Sequence, residues 1–210
     1  MKKQDKNKTD SKEFDTIVKE LFAPIYSVIA EQIIQKTKLK NGKCLDAGCG
    51  TGALGRALAN LTNMEVLFFD KSEDMLELTQ KYVNEENLSV RSSFLLGDIH
   101  NIPYEDNALD LIISRGSIPF WDDWSKAYEE IYRVLKKDGK AYIGCGFGNA
   151  KLRDDIVEKM SEKDPDWSNK PYRQTMENKR KDLPQIMQSI HPSSYEIIDD
   201  ESGFWVYMSK

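Results

Sequence analysis

An apolar segment that ends in a glycine-dense bend limits the folds open to this chain more than any other feature. Cys44-Leu45-Asp46-Ala47-Gly48-Cys49-Gly50-Thr51-Gly52 runs from a strand signal into three alternating glycines, with an acid at the mouth of the bend. Glycine lets the backbone take positive φ and approach a ligand with no Cβ in the way, so this spacing reads as a cofactor loop. The following segment, Ala53 to Leu61, is apolar at Leu54, Leu58 and Leu61, which predicts a helix laid along one face of a sheet.

Gly48-x-Gly50-x-x-Ala53 also satisfies the dinucleotide fingerprint, which brings backbone N–H groups and a helix N-terminus up to a pyrophosphate. Asp46 argues against that ligand, because a carboxylate at the strand end repels phosphate through partly desolvated space. A cationic ligand suits the loop better. S-adenosyl-L-methionine carries an ammonium and a sulfonium at its methionine end and no phosphate.

The pattern Asp46-x-Gly48-x-Gly50-x-Gly52 resembles the first motif of the class I S-adenosylmethionine-dependent methyltransferases, of the small-molecule, methyltransferase-domain-11-like type. Glu65-Val-Leu-Phe-Phe-Asp70 then ends in an acid 18 residues after Gly52, where the family is expected to hold both ribose hydroxyls. An acid at a ribose also suits NAD, so this residue leaves both cofactors open. Asp70-Lys71-Ser72-x-x-Met75 is similar to the family's strand-to-helix corner, with Ser72 read as an N-cap. Gly97-Asp98-Ile99 is similar to its adenine site, Ala108 to Ser114 to its fourth strand, and Ile131 to Lys140 to the turn into the fifth, with Gly139 expected to stop the helix. The resemblance implies cofactor contacts from Tyr26, Asp46, Gly48, Gly50, Gly52, Asp70, Lys71, Met75, Asp98, Ile99, Ser114 and Arg115.

The expected fold is α/β: a Rossmann-like, doubly wound, seven-stranded sheet, mostly parallel, with an antiparallel C-terminal hairpin. Strands are expected near residues 43–46, 65–70, 93–96, 108–114 and 140–145, and the ligand across their carboxyl ends. Tyr195 to Asp200 and Gly203 to Met208, joined by two residues, supply the hairpin. Residues 1–12 read as a disordered basic tail and 13–210 as a single domain. Within it, the helical segments 13–40 and 149–190 are the stretches that form the substrate lid in the family. The first is equally a packing helix for the sheet.

The net charge of −5 disfavours a polyanionic partner, so nucleic acid is not expected. No stretch approaches the ~20 apolar residues of a membrane helix and no apolar signal core opens the chain, which predicts a cytoplasmic protein with no membrane association. Cys44, Cys49 and Cys145 have no metal-type spacing, so neither a metal nor a disulfide is expected. The oligomeric state has no signature.

Methyl transfer is an in-line displacement whose main demand is orientation, so a catalytic residue is not required and none is assigned. Ser114-Arg-Gly-Ser-Ile-Pro-Phe-Trp121 occupies the position that faces the transferable methyl in the family, and it lacks the Asn/Asp-Pro-Pro-Tyr/Phe run of base-modifying enzymes. Arg115, Ser117, Phe120 and Trp121 are therefore the expected contacts to a small-molecule acceptor. Gly144 to Gly148 is bare of side chains, which suits either room for that acceptor or a tight bend. A non-catalytic S-adenosylmethionine-binding module and a nicotinamide-dependent oxidoreductase are the rival readings.

Overall fold

The computed structural model describes residues 11–210. Of the expected tail, residues 1–10 lie outside the described residues, and Ser11 and Lys12 are helical. Helix α1 (Ser11–Ile17) passes through one wide π-helical turn, Val18–Phe22, into α2 (Ala23–Thr37). Pro24 stands in the first turn of α2, where its missing N–H costs that helix no hydrogen bond. Lys38 ends α2 in the left-handed conformation, its N–H donating to Ile34 O at 2.8 Å.

Seven strands follow: β1 (Lys43–Ala47), β2 (Glu65–Asp70), β3 (Ser92–Leu96), β4 (Leu109–Arg115), β5 (Leu135–Gly144), β6 (Ser194–Asp200) and β7 (Gly203–Ser209). They form one sheet in the order β3-β2-β1-β4-β5-β7-β6, with β7 antiparallel to both of its neighbours and every other pairing parallel. Strand order reverses between β1 and β4, which puts the crevice at their carboxyl ends. Between the strands lie α3 (Ala53–Leu61), α4 (Glu73–Glu85), α5 (Trp124–Val134), α6 (Ala150–Lys163), α7 (Pro171–Arg180) and α8 (Leu183–Ile190).

Alternation along each strand sorts the core into two layers. Cys44, Val66, Phe68, Leu111, Ile113 and Tyr142 pack with α2, α3 and α6 on one face. Leu45, Leu67, Phe69, Ile112, Ala141 and Ile143 pack with α5 and α8 on the other. Trp124, Tyr128 and Ile131 give α5 its buried stripe; Leu135, which continues their spacing, already belongs to β5.

The end of α5 differs from expectation. The helix stops at Val134, Leu135 already pairs with Leu109, and residues 136–139 bulge out before pairing resumes at Lys140 with Leu111. Gly139 is not the helix stop. Asp138 takes the left-handed conformation (φ 66°), while a Cβ on Gly139 would stand 2.8 Å from Lys136 O. Lys136 anchors the bulge through Asp110 at 2.9 Å.

The run Gly144 to Gly148 is also settled by packing. A Cβ on Gly144 would lie 2.0 Å from Phe204 O, and one on Gly146 2.3 Å from Ser202 O. The space beside Gly144 and Gly146 is filled by the β6–β7 hairpin and that beside Gly148 by Val28 of α2, so the missing side chains themselves leave no room for an acceptor.

Candidate active site

The glycine loop is held from both sides. Gly48 and Cys49 N–H both donate to Phe69 O at the end of β2, at 2.8 and 3.0 Å. On the other flank Ser117 Oγ donates to Ala47 O at 3.1 Å and lies 2.6 Å from Ser114 Oγ. Gly48, Gly50 and Gly52 take φ of 66°, 56° and 72°. A Cβ on Gly48 would strike Ser117 and one on Gly52 would strike Thr79, both at 2.4 Å, whereas one on Gly50 would meet Phe14 of α1 at 3.2 Å. Ser114 and Ser117, expected at the ligands, thus have a nearer task in fastening the loop.

Asp46 is even-numbered on β1 and therefore turns toward α3. It is 2% exposed, and its Oδ2 accepts from Gly55 N–H at 2.9 Å in the first turn of that helix. Burial is the main cause of a carboxyl pKa pushed up to about 7; the Gly55 N–H opposes it and nearby Asp70 adds to it. The acid lies beneath the loop rather than at an open mouth, so its charge acts on a ligand through buried protein. Burial also drives the Cys49 thiol well above its ordinary range, and its Sγ stands 3.9 Å from Thr79 Oγ1.

At the end of β2, Asp70 Oδ2 accepts from Gly50 N–H and Oδ1 from Ser72 N–H, each at 2.9 Å. Burial raises its pKa against these bonds. Each carboxylate oxygen has two acceptor positions, so the backbone orients the group and leaves one position per oxygen for a diol. Ser72 caps α4 through its bond from Met75 N–H, which is buried; Lys71 is exposed.

Beyond β3, Asp98 Oδ1 accepts from the His100 backbone N–H and pairs with its Nδ1. Burial pushes the Asp98 pKa up, but the His100 bonds and charge outweigh it and hold it below the usual carboxylate range. His100 Nε2 in turn accepts from Asp123 N–H, the N-cap residue of α5, at 3.1 Å. The histidine is a splice between two loops, holding Asp98 through Nδ1 and the start of α5 through Nε2. Ile99 is buried in the core.

Arg115 ends β4 on the α2 side. Its Nε donates to Gly146 O at 3.1 Å, and its guanidinium lies 4.7 Å from the Phe22 ring, 5.2 Å from Phe147 and 5.8 Å from Tyr26. Tyr26 is almost fully buried; burial raises its phenol pKa, opposed by the charge of Arg115. Trp121, expected as a pocket wall, packs into the core edge-on to Tyr128 with 5% exposure. Phe120 remains half exposed, against Tyr172 of α7.

Sequence reasoning gave no site role to Phe14, Phe22, Phe147, Trp167 or Arg173. Trp167 stands in the sequence run Asp164-Pro165-Asp166-Trp167, but its approach to Phe147 (6.5 Å, edge-on) depends on how the segment after α6 folds back. Among the described residues no group of side chains has the makings of a metal site.

These residues fit S-adenosylmethionine: a turn of positive-φ glycines, a preoriented carboxylate beside it, an exposed acid at the next strand end and a cationic wall opposite. A family model described as a methyltransferase domain matches residues 45–150. The chain is similar to a crystal structure of a putative S-adenosyl-L-methionine-dependent methyltransferase from Methanococcus maripaludis, with 43% identity, a TM-score of 0.91, and coverage of 99% of this chain and 97% of that one. It is 34% identical over 116 residues to a demethylmenaquinone methyltransferase of Lactobacillus johnsonii, covering 54% of this chain and 48% of that protein. It is 31% identical over 120 residues to a sterol 24-C-methyltransferase of Aspergillus fumigatus, covering 55% and 32%. The chain thus spans less than half the length of these two curated relatives. Glycine loop, acids at successive strand ends, antiparallel hairpin and full-length likeness converge: this chain belongs to the class I S-adenosylmethionine-dependent methyltransferases.

Proposed function

We propose that this chain transfers a methyl group from S-adenosylmethionine to a small-molecule acceptor. The observation that carries the reading is the Asp70 carboxylate, locked by Gly50 and Ser72 N–H at the foot of the glycine loop with hydrogen-bonding capacity to spare. A small acceptor is supported by the net charge of −5, and by relatives whose names give a sterol and a demethylmenaquinone as the methylated compound. Among the described residues no helix is long and apolar enough to cross a membrane, which accords with action in the cytoplasm.

When bound, S-adenosylmethionine supplies an electrophilic methyl on a sulfonium. The chain's own part is positional. Asp70 holds the nucleoside, Asp46 contributes negative potential beneath the loop, and the rings of Phe22, Tyr26 and Phe147 exclude water from the acceptor side, so that nucleophile and methyl meet in line. An acceptor that is already nucleophilic asks for no proton transfer. His100, engaged at both ring nitrogens, is not available as a base.

Titration calorimetry tests the reading. S-adenosylhomocysteine should bind and NAD should not, and Asp70→Ala should weaken binding by roughly 1–3 kcal/mol through loss of charge-assisted hydrogen bonds. NAD binding in place of S-adenosylhomocysteine would restore the oxidoreductase reading. Tight cofactor binding without S-adenosylhomocysteine production across a broad acceptor panel would favour a non-catalytic module.

A further inference from the structure

Two guanidiniums near the crevice carry positive charge that no acid neutralises. Arg56, Arg133, Arg153 and Arg180 each pair with a carboxylate. Among the described residues Arg91, Arg115 and Arg173 have no such partner; Arg91 spends both Nη groups on the backbone oxygens of Ala59, Thr62 and Met64, whereas the bonds of Arg115 and Arg173 run from Nε to a backbone oxygen, Gly146 O at 3.1 Å and Trp167 O at 3.0 Å. These last two are stacked on rings: Arg115 on Phe22 and Phe147, and Arg173 4.0 Å from Trp167. The two stacks join where Phe147 meets Trp167 edge-on.

A guanidinium stacked on an aromatic face and tethered through Nε is fixed in plane, with its two Nη groups left as a fork. That fork matches a carboxylate bidentately. The field of both arginines, with that of Arg180, also reaches the half-buried Cys145 thiol at the end of β5, so charges from β4 and α7 converge on one end of the sheet. A net negative protein has little reason to gather unneutralised cations on an aromatic wall unless an anion is received there.

We propose that the methyl acceptor is an organic acid, its carboxylate gripped by Arg115 and Arg173 while its apolar body lies on the Phe22, Phe147 and Trp167 rings. This rests on the methyltransferase reading and names the acceptor class for the same site. Arg173 is then a specificity residue that arrives from the helical segment between β5 and β6. It is far in sequence from the cofactor motifs.

The test is ligand-observed NMR and calorimetry on the full chain, with S-adenosylhomocysteine present, using 3-phenylpropanoate, its neutral amide 3-phenylpropanamide, and phenyl phosphate as probes. The acid should bind at least tenfold more tightly than the amide. Arg173→Gln should erase that preference while leaving S-adenosylhomocysteine affinity within twofold, and Arg173→Lys, which keeps charge without the fork, should recover only part of it. Equal binding of acid and amide, or a preference unchanged in Arg173→Gln, would overturn the proposal. Phenyl phosphate binding in preference to the acid would overturn the carboxylate assignment. If Arg115→Gln weakens S-adenosylhomocysteine as much as the acid, Arg115 belongs to the methionine carboxylate and the paired grip is wrong. Failure of S-adenosylhomocysteine itself to bind is a separate result that removes the methyltransferase reading beneath it.

Discussion

Asp46 is the residue at which stability and binding pull apart. Its folded pKa of about 7 stands above the ordinary 3.8, so between these values the folded chain holds a proton that the unfolded chain has lost. The sign follows: Asp46 makes the ligand-free protein lose stability as pH rises from about 4 to 7, at most about 1.4 kcal/mol per pH unit, with no contribution to the slope outside that window. Binding a cationic nucleoside favours the ionised form, so affinity should change the other way, rising as much as tenfold per pH unit up to pH 7 and then levelling. Asp46→Asn should remove both slopes while keeping an acceptor oxygen for Gly55 N–H. Chemical denaturation and calorimetry from pH 4.5 to 8 on both proteins measure the two differences. A wild-type-minus-variant stability difference that is flat with pH would show that Asp46 is ionised throughout.

At the scale of elements, period-2 apolar strands and positive-φ glycines were legible because each reflects a local rule. Parity along β1 and β4 also decides which side of the sheet Asp46 and Arg115 reach, though only the folded layers reveal that α3 claims Asp46. The glycines of Gly144 to Gly148 were ambiguous for a physical reason: a missing side chain reads the same whether a ligand or another backbone fills its place. At Gly144 and Gly146 the hairpin fills it, which separates two substitutions. Gly146→Ala drives a Cβ to 2.3 Å from Ser202 O and must part β5 from the hairpin, costing roughly 1–3 kcal/mol or more from overpacking. Gly116→Ala meets nothing within 4 Å, and its cost is the left-handed backbone alone (φ 81°), about 1–2 kcal/mol. Urea melts should rank Gly146→Ala below Gly116→Ala in midpoint, and the reverse order would mean that the hairpin gives way easily. The start of β5 was missed because a four-residue bulge, anchored by Lys136 on Asp110, has no periodic signature.

For the whole molecule, the cofactor loop does not stand open: the chain's own α1 lies against it. Phe14 faces Gly50, and Asp15 accepts from the Tyr82 hydroxyl of α4 at 2.7 Å while Lys19 pairs with Asp15 at 2.9 Å. Helices α1 and α4 are thereby joined across the loop by one ring contact and a short polar relay. No residue of α1 is fully buried, only Phe14 and Ile17 packing partly against the core, so its hold is weak compared with that of α2, which buries Ile25, Ile29, Ala30 and Ile33. A weakly held element above a ligand loop is expected to act as a gate, slowing entry and exit alike. Phe14→Ala removes the ring and should speed both association and dissociation of S-adenosylhomocysteine, with dissociation increased about tenfold if the ring contributes about 1.4 kcal/mol to the closed state. Tyr82→Phe should act in the same direction more weakly, because one hydroxyl bond is lost and the ring contacts remain. Stopped-flow following the intrinsic tryptophan signal measures both rates, and melting temperatures of the ligand-free variants should stay near wild type because α1 buries so little. Unchanged rates in Phe14→Ala would mean that ligand reaches the loop by a path α1 does not cover. A fall in association rate would show that α1 forms part of the binding surface instead of a gate over it.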